Sequence, residues 1–432
     1  MIIKNVTVID GTGNPPRPGM DVRVTEGRFA DISPTRTDSG PDGEEVLDGG
    51  GGYLIPGLWE THTHLTVPNM PITEMPAYMR ATLAGYLDAG ITSVCELGGL
   101  YILRRGERET SRANGTAPAL FVARSGFTGV KGWPANNQEN WPEQLKSAEL
   151  ENGGIIQVDD ADTARAHVHK LLEEVDYVKC MFDGATGGSG HRLPVAALDA
   201  IIETTHAAGK KVLVHIATGA DLREAVRAGA DCIEHSPIPR DPADPSEAEQ
   251  LAELLAEAGT LYCPTIVTWE QLGRGGDPAY LDELVADGIL TPEGIAEITA
   301  RPGYGQPFSH HPADEMKIRF DYAMSTLHLF RAAGVTLVAG SDIAFTMPTP
   351  AHALLRELQL FAKAGLPCAE ILATATTNAA DKVGKQDSMG TVTVGKAADA
   401  VLLDADPLTD ITHLTDPRHR RAVISAGHLV HR

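Results

Sequence analysis

Residues 211–236, KVLVHIATGADLREAVRAGADCIEHS, hold two short apolar runs separated by a segment whose apolar residues recur every three or four positions. Short aliphatic runs read as buried strands, and the spacing between them reads as a covering helix that stops near a glycine, Gly229. Strand, helix and strand in this order form a repeating unit of a parallel sheet. A histidine stands near the end of each run: His215 in KKVLVHI and His235 in DCIEH.

The same alternation continues in both directions. Strands are expected near GLWETHTH, ITSVCEL, ALFVARS, DYVKCMF, KVLVHIA, ADCIEHS, TLYCPTI and VTLVAGSD, with helices such as PVAALDAIIETTHAAG between them. Eight such strands close a barrel. Residues 1–55 instead alternate apolar and polar residues in brief runs (IIKNVTVID, MDVRVTEGRFADI), and the pattern returns in MGTVTVGKAADAVLLDADPL and AVISAGHLVHR. The expected architecture is therefore α/β: a distorted TIM (β/α)8 barrel over 56–388, with a small β-sandwich built from 1–55 plus 389–432. From Trp269 to about Arg319 the chain is too long for a strand-to-helix connection and too rich in Pro, Gly and acid for core. It reads as a partly helical excursion near the barrel mouth.

Composition narrows the function. A chain of 432 residues with 42% hydrophobic residues can bury a large core. A net charge of −22 without a basic run argues against a nucleic-acid partner, which needs clustered Lys and Arg to replace phosphate counterions. The first residues reach a turn at Asp10-Gly11 without the apolar core of a signal peptide, and no apolar stretch is long enough to span a bilayer, so no membrane partner is expected. The five cysteines (Cys95, Cys180, Cys232, Cys263 and Cys368) are odd in number and lie mostly inside apolar runs. They read as reduced core residues of a cytoplasmic protein.

The chemistry lies at the strand ends. In Glu60-Thr61-His62-Thr63-His64 the period of two puts both histidines on one face of a strand. Taken alone, such a pair is more often incidental. His215, His235 and Asp342 (after VTLVAGS) stand where a parallel strand gives way to its loop, the active-site face of a barrel. Lys179 lies inside VDYVKCMF, where a buried amine loses its charge or finds a partner. N and O ligands delivered from several separate strand ends point to a metal site.

At these residues the sequence resembles the amidohydrolase superfamily, binuclear and with a carboxylated lysine. The marks are IPGLWETHTHL, YVKC, VLVHIA, CIEH, AGSDIAF and the closing MGTVTVGKAADAVLLDADPL. YVKCMFDGATGG and AVRAGADCIEHSP resemble the branch of imidazolonepropionase-related peptidases, ochratoxinase and phenylurea hydrolases. The resemblance implies two divalent metal ions, zinc (Zn2+) by preference. His62, His64 and Asp342 would hold one and His215 and His235 the other, with a CO2-derived carbamate on Lys179 between them. It further implies a metal-bridged hydroxide as nucleophile and Asp342 as proton carrier, making Asp342 and Lys179 the catalytic pair. The expected activity is hydrolysis of an amide, carbamate or urea C–N bond of a small molecule, with no organic cofactor. Rival readings are an Xaa-Pro dipeptidase, carboxypeptidase-like or N-acyl amino-acid hydrolase of the same branch; a one-metal deaminase or dechlorinase, which has no need of Lys179; and a non-catalytic interaction protein on the same fold. A homo-oligomer is a family-based expectation.

Departures from the family pattern bear on substrate. The peptidases of this branch carry a tyrosine two residues after the fifth-strand histidine, where this chain has His215-Ile216-Ala217. Their Gly-Gly-His segment is replaced by Gly129-Val130-Lys131-Gly132-Trp133. Lys131 and Trp133, with His191 and Arg192 after the fourth strand, are the candidate substrate contacts, and Trp133 favours an aromatic group. His310-His311 reads as a polar loop tip. Gly184, Gly187, Gly188 and Gly190 lack the GxxxxGK[ST] pattern of a phosphate cradle.

Overall fold

The computed structural model describes residues 1–36, 44–65, 73–98, 105–136, 154–185, 190–274, 277–299, 313–342 and 350–431. Gly187, Gly188 and His310-His311 lie outside them. Strands from both ends of the chain share one eight-stranded sheet: β1 (Ile2–Val8), β2 (Arg17–Thr25), β3 (Arg28–Pro34), β4 (Val46–Asp48), β5 (Tyr53–Pro56), β15 (Ala400–Leu403), β16 (Arg420–Ser425) and β17 (His428–His431). Its order is β17-β16-β15-β5-β1-β2-β3, with β4 beside β1. Ile3, Val22, Phe29, Leu54, Leu402 and Ile424 form its apolar core.

Between these ends stand two parallel sheets. One is β6 (Leu58–Thr63), β7 (Ile91–Glu96) and β8 (Ala119–Val122). The other contains β9 (Gly126–Gly129), β10 (Ile155–Val158), β11 (Val178–Phe182), β12 (Val212–Ile216), β13 (Cys232–Glu234) and β14 (Leu261–Cys263), in the order β10-β9-β11-β12-β13-β14. Alternation along these strands divides their side chains between two cores. Val178, Cys180, Val212, Val214 and Ile233 pack in the large cluster that includes helix residues such as Leu198, Ile201 and Leu222. Trp59, Cys95, Phe121, Leu213, Cys232 and Cys263 pack in a second cluster, so both parallel sheets share one interior.

Residues 335–342 join the sheets edge to edge without forming a regular strand. Val338 N donates to Tyr262 O (2.9 Å) and Asp342 N to His62 O (2.7 Å). Gly340 permits this approach, because a Cβ there would lie 2.8 Å from both Cys263 Sγ and His62 Cβ. The strand expected over ALFVARS stops at Val122; Arg124 turns left-handed (φ 60°) and the chain re-enters as β9. Strands β9 and β10 have no counterpart in the expected set.

Local signals explain the helices. Thr218 Oγ1 accepts from Asp221 N while Asp221 Oδ2 accepts from Thr218 N, a reciprocal cap on Gly219–Ala228, and Gly229 (φ 97°) ends the helix. The expected excursion holds the helices Ile266–Arg274, Pro278–Ala286 and Pro292–Thr299. It is fastened by Arg356 of the helix Pro350–Lys363, whose fully buried guanidinium meets Glu270 at 2.6 Å, Glu283 at 2.7 Å and Asp287 at 2.5 Å. Arg356→Met leaves Glu270 buried and uncompensated, and is expected to cost about 3–5 kcal/mol in urea unfolding. A loss below about 1 kcal/mol would show that this network contributes little more than a surface pair. Among the described residues no helix is long and apolar enough to cross a membrane.

Candidate metal centre

Four histidine rings converge at the loop ends of β6, β12 and β13. The centroids of His62 and His64 are 5.6 Å apart, those of His62 and His235 4.9 Å, and those of His215 and His235 4.5 Å. Each ring has one nitrogen tied down by a partner. His62 Nδ1 donates to Glu234 Oε2 (2.7 Å), His64 Nδ1 to Gly98 O (2.6 Å) and His215 Nε2 to Asp183 Oδ2 (3.0 Å), while His235 Nδ1 hydrogen-bonds to Thr265 Oγ1 (2.8 Å). The acceptor-only partners of His62, His64 and His215 select the tautomer, so Nε2 of His62 and His64 and Nδ1 of His215 are left with lone pairs, whereas the Thr265 hydroxyl can donate to or accept from His235.

Two of those lone pairs face a carboxylate. Asp342 Oδ1 lies 3.2 Å from His62 Nε2 and 3.2 Å from His64 Nε2, and its Oδ2 lies 3.7 Å from His235 Nδ1. Acceptors set this close together call for a cation among them, and His62, His64 and Asp342 have the chemistry of a metal site. Asp342 behaves accordingly: burial opposes its charge, but His62 and His235 outweigh burial and hold its carboxyl well below the usual range. Burial pulls the His64 ring the other way too, yet the Asp342 hydrogen bond leaves its pKa raised. His235 (φ 77°), Thr265 (φ 49°) and Asp342 (φ 50°) all adopt left-handed backbone, a strain tolerated where side chains must be aimed.

Lys179 completes the group. Its side chain is 1% exposed, its Nζ has no hydrogen-bond partner, and burial drives its pKa down. An uncharged amine is the form that adds CO2, and burial favours that form of Lys179. His62, His64 and Asp342 therefore fit a metal ion, and the Lys179 amine is left buried without a partner.

Sequence reading missed the groups behind the candidate ligands. Glu234 is fully buried between His62 and Lys382, with Lys382 Nζ 2.7 Å from Glu234 Oε1 and donating to Thr61 O (3.1 Å). Burial would raise the Glu234 pKa, but Lys382 and His62 together hold it well below the ordinary value. His62, Glu234 and Cys263 also lie close enough to suggest a metal trio. Glu234 is already engaged on both oxygens, however, and burial keeps Cys263 a thiol.

Lys131 is exposed and its backbone N donates to Gln157 Oε1 (2.8 Å), while Trp133 O accepts from Thr128 Oγ1 (2.7 Å). His191 is exposed. Arg192 is engaged by Asp221 at 2.8 Å and Glu224 at 2.9 Å and stacks on Phe182, so its guanidinium is held toward the helix Gly219–Ala228.

The sequence model of the Amidohydrolase family matches residues 53–430. The chain is 25% identical over 437 residues to an imidazolonepropionase of Myxococcus xanthus, covering 96% of this chain and 90% of that protein. A dihydroorotase of Thermus aquaticus matches at 31% over 90 residues, 20% of this chain, and the chain spans only 19% of that relative's length. Among solved structures, a prolidase complexed with N-methylphosphonate-L-proline superposes with TM-score 0.78 at 23% identity, covering 100% of this chain and 99% of the other. A. niger ochratoxinase gives 0.72 at 22% identity (99% and 94% covered), and phenylurea hydrolase B gives 0.71 at 20% (99% and 96%). At these identities the superpositions show a common fold.

Proposed function

The chain belongs to the amidohydrolase family, and from that premise we propose that it is a metal-dependent hydrolase that cleaves an amide, carbamate or urea C–N bond of a small molecule. The convergence of His62, His64 and His235 on Asp342, with His215 packed against His235 and the amine of Lys179 buried without a partner, carries this reading. In it, residues 56–388 form a distorted (β/α)8 barrel, supported by the interior common to both parallel sheets, and 1–55 with 389–432 form the β-sandwich.

His62, His64 and Asp342 would hold one divalent metal, and His215 and His235 the other. Lys179 would bridge them once its amine has added CO2, forming an N–C bond and losing one proton. Bound metals supply Lewis acidity and lower the pKa of water into the neutral range. The chain's own groups do the rest. Glu234 and Asp183 hold the rings of His62 and His215 in one tautomer and Thr265 orients that of His235, so the His62 and His215 lone pairs need no reorganisation. Asp342, charged and held at the centre, takes the proton of the attacking water and returns it to the leaving nitrogen. The absence of a tyrosine after His215 and the presence of Trp133 favour an aromatic, non-peptide group next to the scissile bond.

The reading is tested by counting metals in purified protein and assaying anilides, phenylureas, aryl carbamates and N-acyl amino acids under one metal condition. About two metals per chain with turnover of at least one amide-type class is expected. Chelation should abolish turnover and lower the melting temperature, since metals bind the folded state, and adding Zn2+ should restore both. One tightly held metal would favour the deaminase reading. A full complement of metal with no activity on the panel would favour the non-catalytic one.

A further inference from the structure

At the metal centre, β6 and residues 335–342 are joined through a side chain as well as through backbone. Asp342 N donates to His62 O at 2.7 Å and Thr61 Oγ1 to Ala339 O at 2.7 Å, and the carboxyl of Glu60 ties the same two segments again. Its Oε1 accepts from one backbone donor on each side of the seam, His62 N at 2.9 Å and Ser341 N at 3.0 Å. Its Oε2 accepts from Ser341 Oγ at 2.6 Å. Thr268 Oγ1 in turn donates to Ser341 O (2.6 Å) and Asp342 O (3.1 Å), so every polar atom of Ser341 is engaged.

Glu60 is fully buried, and burial pushes its carboxyl up to about 7 against the hydrogen bonds from Ser341 and His62. An apolar residue at this position would avoid the cost of desolvating a carboxylate, but would leave two buried backbone N–H groups without that acceptor. The three bonds fix the backbone of His62 against that of Ser341, the residue before Asp342. On those two backbones stand His62 Nε2 and Asp342 Oδ1, 3.2 Å apart. Asp342 also holds φ 50°, a conformation that persists in a non-glycine residue when its surroundings hold it there.

We propose that Glu60 is a positioning residue of the metal centre: its carboxyl takes the place of a backbone carbonyl between β6 and residues 335–342 and so sets the spacing at which His62 and Asp342 hold one metal ion. This assignment rests on the metal-dependent reading above. Glu60 acts through His62 and Asp342, without touching metal or substrate.

Titration of metal-free protein with Zn2+ against a chromophoric chelator separates positioning from plain support of the fold. Glu60→Met fills the space but offers no oxygen, and is expected to weaken Zn2+ binding by about ten- to a hundredfold, the range that follows loss of a group orienting a metal ligand. Glu60→Gln keeps an oxygen for His62 N and Ser341 N and turns its amide N–H toward the Ser341 hydroxyl, which can accept, so its affinity is expected within about threefold of wild type. Metal affinity belongs to the folded molecule. Arg356→Met, destabilised without loss of these bonds, is therefore expected to bind Zn2+ as wild type does while melting earlier both with and without metal. Wild-type affinity in Glu60→Met, or a loss in Glu60→Gln as large as in Glu60→Met, would overturn the clamp, and an equal loss in Arg356→Met would reduce it to support of the fold. If Glu60→Met does not fold, Ser341→Ala removes the Oγ bond alone and is expected to weaken Zn2+ binding about threefold or more, whereas unchanged affinity there sinks the proposal. Zn2+ affinity that depends on Glu60, in a protein inactive on every amide-type substrate, would count against the hydrolase reading and leave the clamp supported.

Discussion

Lys179→Ala is expected to lose most of its bound metal and to lower kcat/KM by roughly a hundredfold or more, beyond what loss of a group merely orienting a ligand costs. The expectation follows from a single atom: Nζ of Lys179 is buried, has no hydrogen-bond partner, and sits where burial disfavours its charge. As a structural element such an amine is a defect. Carboxylated, it would become an anionic ligand that bound metal would neutralise. The two cases separate in metal-free protein. Lys179→Met, close in volume, removes an unsatisfied polar group and should leave the apo form at least as stable as wild type, while the metal-loaded forms differ strongly. Metal content by elemental analysis and melting temperatures with and without chelator measure both effects. Acetate or propionate, filling the space left in Lys179→Ala with a carboxylate, is expected to recover part of the activity. Full metal content and near-wild-type turnover in Lys179→Ala would remove the lysine from the centre.

What could be read from the sequence here, and what could not, follows from how each group reaches the site. His62 and His64 are two apart on one strand, so the period of two places both rings together before any tertiary contact is known. Glu234 was hidden by the same rule. Strand alternation would put Glu234 and His235 on opposite faces, but β13 ends at Glu234, and with the left-handed turn at His235 (φ 77°) both side chains meet His62. Lys382 comes from the helix Thr377–Lys382, nearly 150 positions beyond Glu234, and nothing local announces their pairing. Strand β9 escaped because Gly126 and Gly129 weaken any strand signal. Gly129 is there for space: a Cβ would run into the backbone carbonyl of Arg192. The final segment, 335–342, reads as a strand by composition yet makes few ladder bonds, because its task is to bring Asp342 against His62.

Asp342→Asn should retain the fold and lose turnover by about two to four orders of magnitude, the range attached to a positioned proton carrier. The backbone makes this substitution informative. Asp342 has φ 50°, a conformation that Asn tolerates better than most side chains, and its anchoring bonds, N to His62 O at 2.7 Å and O from Thr268 Oγ1 at 3.1 Å, do not involve the carboxyl. An amide oxygen can still face His62 Nε2 and His64 Nε2, so a metal retains an oxygen donor, although a neutral and weaker one. What the amide cannot do is accept a proton from water and release it to a leaving nitrogen. The loss should therefore appear mainly in kcat, with KM within a few-fold of wild type, since the groups that bind substrate are untouched. Steady-state kinetics at saturating Zn2+ separate this from simple metal loss, which excess metal would repair. A kcat restored by metal alone would make Asp342 a ligand and nothing more, and would move the proton transfer to another group.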